Sequence, residues 1–263
     1  MNIIDLYSPM QNGQIPTLEG YPDLAESWGI TQKSVARWLT SKPAKANQTT
    51  AEKLLQEAPS ILAKVEGHLQ ASLTGTLVLM PSFGDFDGFA RYDRGHHHVL
   101  LGIDFPDADI NYLRALTAHE LSHVYRDHAP AVWGHLGKPL KEVTRKEYLN
   151  ASTAEEHLAS EGLATWFSQK VFPEIEPRIH HFYEEDEWDW CLKNHPAIDT
   201  SLRQCLQTDQ DVWSFYSPSR VARGSPSRTH YYWAAHEIAQ MPHAKSLSLR
   251  QMHELPTGAF SWT

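Results

Sequence analysis

Apolar residues recur at helical intervals through residues 107–128, where Leu113, Leu116, Leu121 and Val124 mark one face of a 3.6-residue repeat. Pro106 stands before this stretch and Pro130 after its end, positions at which helices start and stop. A second helical stretch, STAEEHLASEGLATWFSQKVFP, opens on two overlapping capping boxes, Ser152 with Glu155 and Thr153 with Glu156, and stops before Pro173. Upstream, Leu54, Leu55, Ile61, Leu62, Val65 and Leu69 form an apolar stripe. Residues 22–73 are therefore expected to be helices packed on the rest, with a loop over 41–48 that contains Pro43. The segment LTGTLVLMPSFGDFDGFARYDRGHHHVLLGIDFP has another rhythm: short apolar runs among Gly and Asp predict two strands, near 76–80 and 98–103, joined by a long loop. Farther on, Ser225 and Pro226 suit a helix start, and Tyr232, His236 and Ile238 fit one face of an amphipathic helix. Together these elements predict an α+β fold, mostly helical, with a small sheet preceding the 107–128 helix. Residues 1–73 are expected to form a helical region packed on a domain spanning 74–263.

The chemistry enters with AHELSHVYRDH, which puts His119, Glu120 and His123 in a His-Glu-x-x-His arrangement on the first helix. Positions four apart share a helix face, so His119 and His123 can bind one zinc ion while Glu120 sits beside the open coordination position. Two neutral imidazoles leave the metal its charge, and the metal lowers the pKa of bound water toward ~7. Glu120, binding no metal, would take the proton of that water and pass it to the leaving amine.

Glu161, on the second helix, is the expected third ligand, because the chain can leave the first helix, turn through a Gly134 to Pro139 loop, and return alongside it. Gly162 supports the choice. Glycine inside a helix costs roughly 1 kcal/mol relative to alanine and marks close approach by a neighbour, here expected to be the metal-bearing helix. Glu155, Glu156 and His157 compete for the ligand role, although capping or solvated side chains are common at a helix start. His157 lies one turn before Glu161 and is a candidate partner for a metal ligand.

AHELSHVYR followed by a helix carrying SEGLA resembles the DUF2268 (YjaZ-like) family of zinc-dependent proteases, over about residues 76–240. The resemblance implies a gluzincin-like, zincin-like core with two His and one Glu on one zinc ion, and zinc-dependent hydrolysis of peptide bonds. It also implies that the strand VLLGID offers backbone hydrogen bonds to an extended peptide substrate. The family has a later stretch resembling Arg-x-x-Gly-Tyr-x-x-Gly-Tyr. Here SRTHYYWAAHEIAQ aligns with Arg228, Tyr231 in the first glycine's place, Tyr232 as first tyrosine, Ala235 and His236, so both glycines and the second tyrosine are replaced. Tyr232 is then the expected oxyanion donor, with Tyr231 the candidate if the register shifts by one. His236 is a substitute donor, and Arg228 and His230 are candidates to bind a substrate carboxylate. The replaced glycines leave open a catalytically inactive zinc-binding protein.

At 263 residues with 41% hydrophobic content, the chain can bury a full core. Its mean hydropathy of -0.47 and lack of a membrane-length apolar run predict no membrane span, and MNIIDLYSPMQ has no secretion-signal pattern, so a cytoplasmic protein is expected. Cys191 and Cys205 have no paired spacing that would suggest a disulfide framework or a structural zinc site. The net charge of -9 disfavours nucleic acid as a partner, and peptide or protein is the substrate that the resemblance implies; the acidic run 184–190 reads as a solvated face interleaved with packing tryptophans. One stretch pulls the other way: Ala25, Gly29, Val35 and Trp38 in residues 24–39 have helix-turn-helix-like spacing, with Lys33, Arg37, Lys42 and Lys45 nearby. A DNA-binding protein is thus the rival class. His96, His97 and His98 cannot all reach one ion from a strand and read as a solvated loop end. Substrate preference and oligomeric state are not encoded in these patterns.

Overall fold

The strongest apolar runs and capped helices fold as expected and enclose two adjoining cores. The computed structural model describes residues 1–14, 31–41, 45–84, 86–93, 96–133, 142–143, 147, 153–208 and 212–262. It is α+β and mostly helical. The chain runs through β1 (Asn2–Asp5), α1 (Tyr7–Gln11), α2 (Gln32–Ser41), α3 (Lys45–Leu69), β2 (Thr76–Met80), β3 (Gly88–Asp93) and β4 (His96–Gly102). The helices α4 (Ile110–His128), α5 (Pro130–Trp133), α6 (Ala154–Val171), α7 (Pro177–His180), α8 (Glu185–Lys193) and α9 (His195–Gln207) follow. After a 3-10 turn, Val212–Tyr216, come α10 (Thr229–Gln240), α11 (Pro242–Ser246) and α12 (Leu249–Glu254).

The four-stranded sheet has the order β1-β2-β4-β3, with β1, β2 and β4 parallel and β3 antiparallel to β4. Two strands escape the sequence patterns. β1 has only four residues, and β3 lies where a long loop is expected, because FARYD mixes charge with apolar residues. β3 changes the functional geometry. VLLGID sits mostly on β4, which is paired on both sides, so the backbone hydrogen bonds expected from it are already used. Beyond β4 the edge strand is β3, with β1 at the other edge.

His97 and His98 are also not a solvated loop end. Each is 1% exposed, on opposite faces of β4: His97 Nε2 meets Asp127 Oδ2 at 2.9 Å, and His98 Nδ1 meets Thr76 Oγ1 at 2.6 Å. Only His96 of the three is exposed.

Helix α3 begins at Lys45, inside the expected 41–48 loop, and buries Leu54, Ile61, Leu62, Val65 and Leu69, with Leu55 half-buried. Of the helix-turn-helix-like segment, residues 24–30 lie outside the described residues, as does Lys42. The described part is α2, which turns Val35 and Trp38 into the core; Trp38 Nε1 donates to Asp104 Oδ2 at 2.8 Å. The 184–190 run forms the start of α8 with a Glu184–Glu187 capping box, its acids largely exposed and Trp188 and Trp190 half-buried, as expected. Cys191 and Cys205 are buried free thiols. Among the described residues, no helix is long and apolar enough to cross a membrane.

Helix α6 is buried nearly all round because it serves both cores. Phe167 and Val171 join the sheet, α3 and α4, whereas Leu158, Leu163 and Trp166 join α8, α9, α10 and the C-terminal residues. Its Gly162 marks a close approach, but not by α4, the helix expected to bear the metal. A Cβ there would meet Ala234 Cβ at 2.7 Å, Ala234 carbonyl carbon at 2.8 Å and Ile238 Cδ1 at 2.8 Å, so the intimate neighbour is α10. Alanine would gain about 1 kcal/mol of helix propensity, but overpacking against backbone costs about 1–3 kcal/mol. Gly162→Ala should therefore lower stability by up to about 2 kcal/mol in denaturant unfolding; a raised midpoint would show that α10 can retreat freely.

Candidate metal centre

Asp109 starts α4 by accepting a hydrogen bond from the Tyr112 amide at 2.8 Å, and the helix then carries His119, Glu120 and His123 into the molecule. Thr153 caps α6 through the Glu156 amide, and α6 brings Glu161 across from the two imidazoles. Three donor atoms converge. His119 Nε2 lies 3.1 Å from His123 Nε2 and 3.1 Å from Glu161 Oε2, and His123 Nε2 lies 3.4 Å from the same oxygen. A tetrahedral zinc with ligands at about 2.0–2.1 Å separates its donors by about 3.3 Å, so these atoms fit the corners of a zinc site. Glu161, among the competing residues, is the one brought to the two imidazoles. Glu155 is exposed, and Glu156 is neither cap-bound nor solvated but buried against Arg126. The 134–139 turn between the helices lies outside the described residues.

The surroundings hold these groups in place. His123 Nδ1 meets Ser160 Oγ at 2.8 Å. The His119 ring lies nearly parallel to Tyr231 at 5.6 Å and edge-on to Phe182 at 5.2 Å. Burial pushes the His119 pKa down to about 4, favouring the neutral ligand form. Burial also works against charge on His123, but the carboxylates of Glu161, Glu120 and Asp127 overcome it and raise that pKa to about 9. The Glu161 carboxyl, disfavoured as an anion by burial, is nonetheless held well below the usual carboxylate range by His123, His119 and His157. Glu120 receives less compensation. Burial, reinforced by Glu161 and Asp87, raises its pKa to about 7 against the opposing pull of His123, in the range suited to proton transfer.

These groups open into a cleft of about 400 Å³, floored by α4 and α6, with Asp87 to Ala90 of the β3 side on one wall and Trp213, Tyr216, Arg228 and Tyr231 on the other. The two candidate tyrosines face different ways. Tyr231 lines the cleft, whereas Tyr232 is turned away among Trp188, His195 and His236, with ring centroids 5.6, 5.7 and 6.2 Å away. Successive helix residues point about 100° apart, so an alignment shifted by one selects another face. His236 goes with Tyr232 and is exposed, outside the cleft. His230 is fully buried, with Nε2 facing His157 Nε2 at 3.3 Å, and does not line the cleft. Arg228 does line the cleft, with Nη1 3.7 Å from Asp87 Oδ2.

His157 stays beside the centre, with Nδ1 3.9 Å from Glu161 Oε1. Tyr216, Trp213 and Asp87 carry no motif that spacing could reveal; the aromatic run VWSFY is the sole signal of the first two. A looser group, His195, His236 and Glu237, has ligand atoms within 4.8 Å of one another near the surface, but Glu237 Oε2 already accepts from Arg203 Nη2 at 3.0 Å. No family model, curated protein or solved structure matches the chain.

Proposed function

We propose that this protein is a zinc-dependent peptidase of the gluzincin type, in keeping with the resemblance of its AHELSHVYR and SEGLA segments to DUF2268 proteases. The observation that carries the reading is the convergence of His119, His123 and Glu161 at 3.1–3.4 Å beside the buried carboxyl of Glu120, in a cleft walled by an edge strand. A zinc ion bound by these three residues supplies a Lewis acid and lowers the pKa of a water to ~7.

The chain's own groups perform the rest. Glu120 takes the water's proton on a carboxylate oxygen and delivers it to the leaving amine nitrogen. The outer edge of β3 offers backbone groups to an extended peptide, which orients the scissile bond along the cleft. The Tyr231 hydroxyl donates to the substrate oxygen as that atom gains charge. Tyr231→Phe should therefore reduce kcat by roughly 10²-fold, whereas Tyr232→Phe should leave it within about twofold. The reverse order would restore the other register. Cleavage of a peptide library by the zinc-loaded protein, abolished by a chelator and restored by zinc, tests the reading; no cleavage with zinc bound would make the centre a binding site alone.

A further inference from the structure

Glu161 presents its two oxygens to different partners. Oε2 faces both imidazoles, whereas Oε1 accepts a hydrogen bond from Tyr216 Oη at 3.3 Å; His157 Nδ1, 3.9 Å from Oε1, lies beyond hydrogen-bond reach. Tyr216 Oη also lies 3.1 Å from Tyr231 Oη and 3.4 Å from His157 Nε2. A phenol has one proton to give, and an ionised carboxylate is the strongest acceptor in reach, so Tyr216 donates to Glu161 and Tyr231 donates to Tyr216.

We infer that Tyr216 is a positioning residue for the centre, holding Glu161 through Oε1 so that Oε2 alone faces the metal position, and parking the Tyr231 hydroxyl until substrate arrives. The inference rests on the zinc reading of His119, His123 and Glu161. The ring itself is anchored independently of its hydroxyl: it stacks on Trp213 at 5.8 Å and meets His230 edge-on at 4.7 Å, and its neighbour Phe215 is fully buried. When the Tyr231 hydroxyl turns its hydrogen bond to the substrate oxygen, Tyr216 keeps donating to Glu161, so the ligand geometry is unchanged by the step that Tyr231 serves. The two hydroxyls, though hydrogen-bonded, have separable roles.

Zinc affinity, read by chelator competition on the full chain, and thermal melting of the metal-free protein separate them. Tyr216→Phe keeps the ring and should weaken zinc affinity by ~10–100-fold with metal-free melting unchanged. Tyr231→Phe, which leaves the donor to Glu161 in place, should hold zinc within about twofold of native while losing kcat. Native zinc affinity in Tyr216→Phe, or an equal loss in Tyr231→Phe, overturns the positioning role alone. No zinc uptake by the native protein overturns the zinc reading beneath it.

Discussion

Glu120→Gln should keep its zinc and its fold and lose peptidase turnover by ~10²–10⁴-fold. The amide matches the carboxyl in size but cannot take a proton from water. Glu120 is only 6% exposed, so a second base cannot easily reach the same position from solvent. Stability gives an internal control. Burial raises the Glu120 pKa to about 7 in the folded protein from an ordinary 4.5, so at pH values between these the folded state prefers the protonated form. That carboxyl's contribution to folding is therefore present below about 4.5 and is lost as pH rises through about 7. A neutral glutamine escapes this loss, and metal-free Glu120→Gln should melt no lower than native at neutral pH. Turnover within tenfold of native, at equal zinc content, would remove Glu120 as the base.

Arg126→Ala should cost about 3–5 kcal/mol of stability, the range for stripping one partner from a buried ion pair. Arg126 is fully buried, and its Nε and Nη2 meet Glu156 Oε1 and Oε2 at 3.0 and 2.7 Å. Nη1 donates to the carbonyls of His253 and Leu255, and Thr257 Oγ1 adds a 2.6 Å bond to Glu156. One side chain therefore ties the last turn of α4 to the first turn of α6 and to the end of α12. Those same two helices carry His123 and Glu161, so the pair also sets how the ligands meet. Removing the guanidinium leaves Glu156 buried without its charge partner. Replacing both residues, Arg126→Met with Glu156→Leu, should recover most of the loss because no buried charge is left. Denaturant unfolding of the metal-free variants measures this; a loss under about 1 kcal/mol in Arg126→Ala would mean water reaches Glu156.

The centre is largely legible in the sequence because its pattern and its helix share one period. His119, Glu120 and His123 fall at fixed offsets on an amphipathic stretch, and Glu161 lies within a capped helix ahead of a glycine. Less legible is whatever depends on register or on distant partners. Tyr231 and Tyr232 are chemically identical, and what decides between them is how their helix, α10, packs against Gly162 of α6, which a single sequence does not name. β3 stays hidden because an edge strand beside a polar cleft needs no clean alternation, and β1 because four residues are too few to show a period. Tyr216 gives no local sign beyond the aromatic run VWSFY, since its value comes from Glu161 and Tyr231, which tertiary folding brings to it.

The most direct test of the centre is zinc content per chain in the native protein, His119→Ala and Glu161→Ala, each purified and then supplied with zinc in excess and dialysed. The expected result is about one zinc in the native chain and its loss in both variants. An unchanged zinc content in Glu161→Ala, or none in the native chain, would contradict the ligand set on which the proposed chemistry depends.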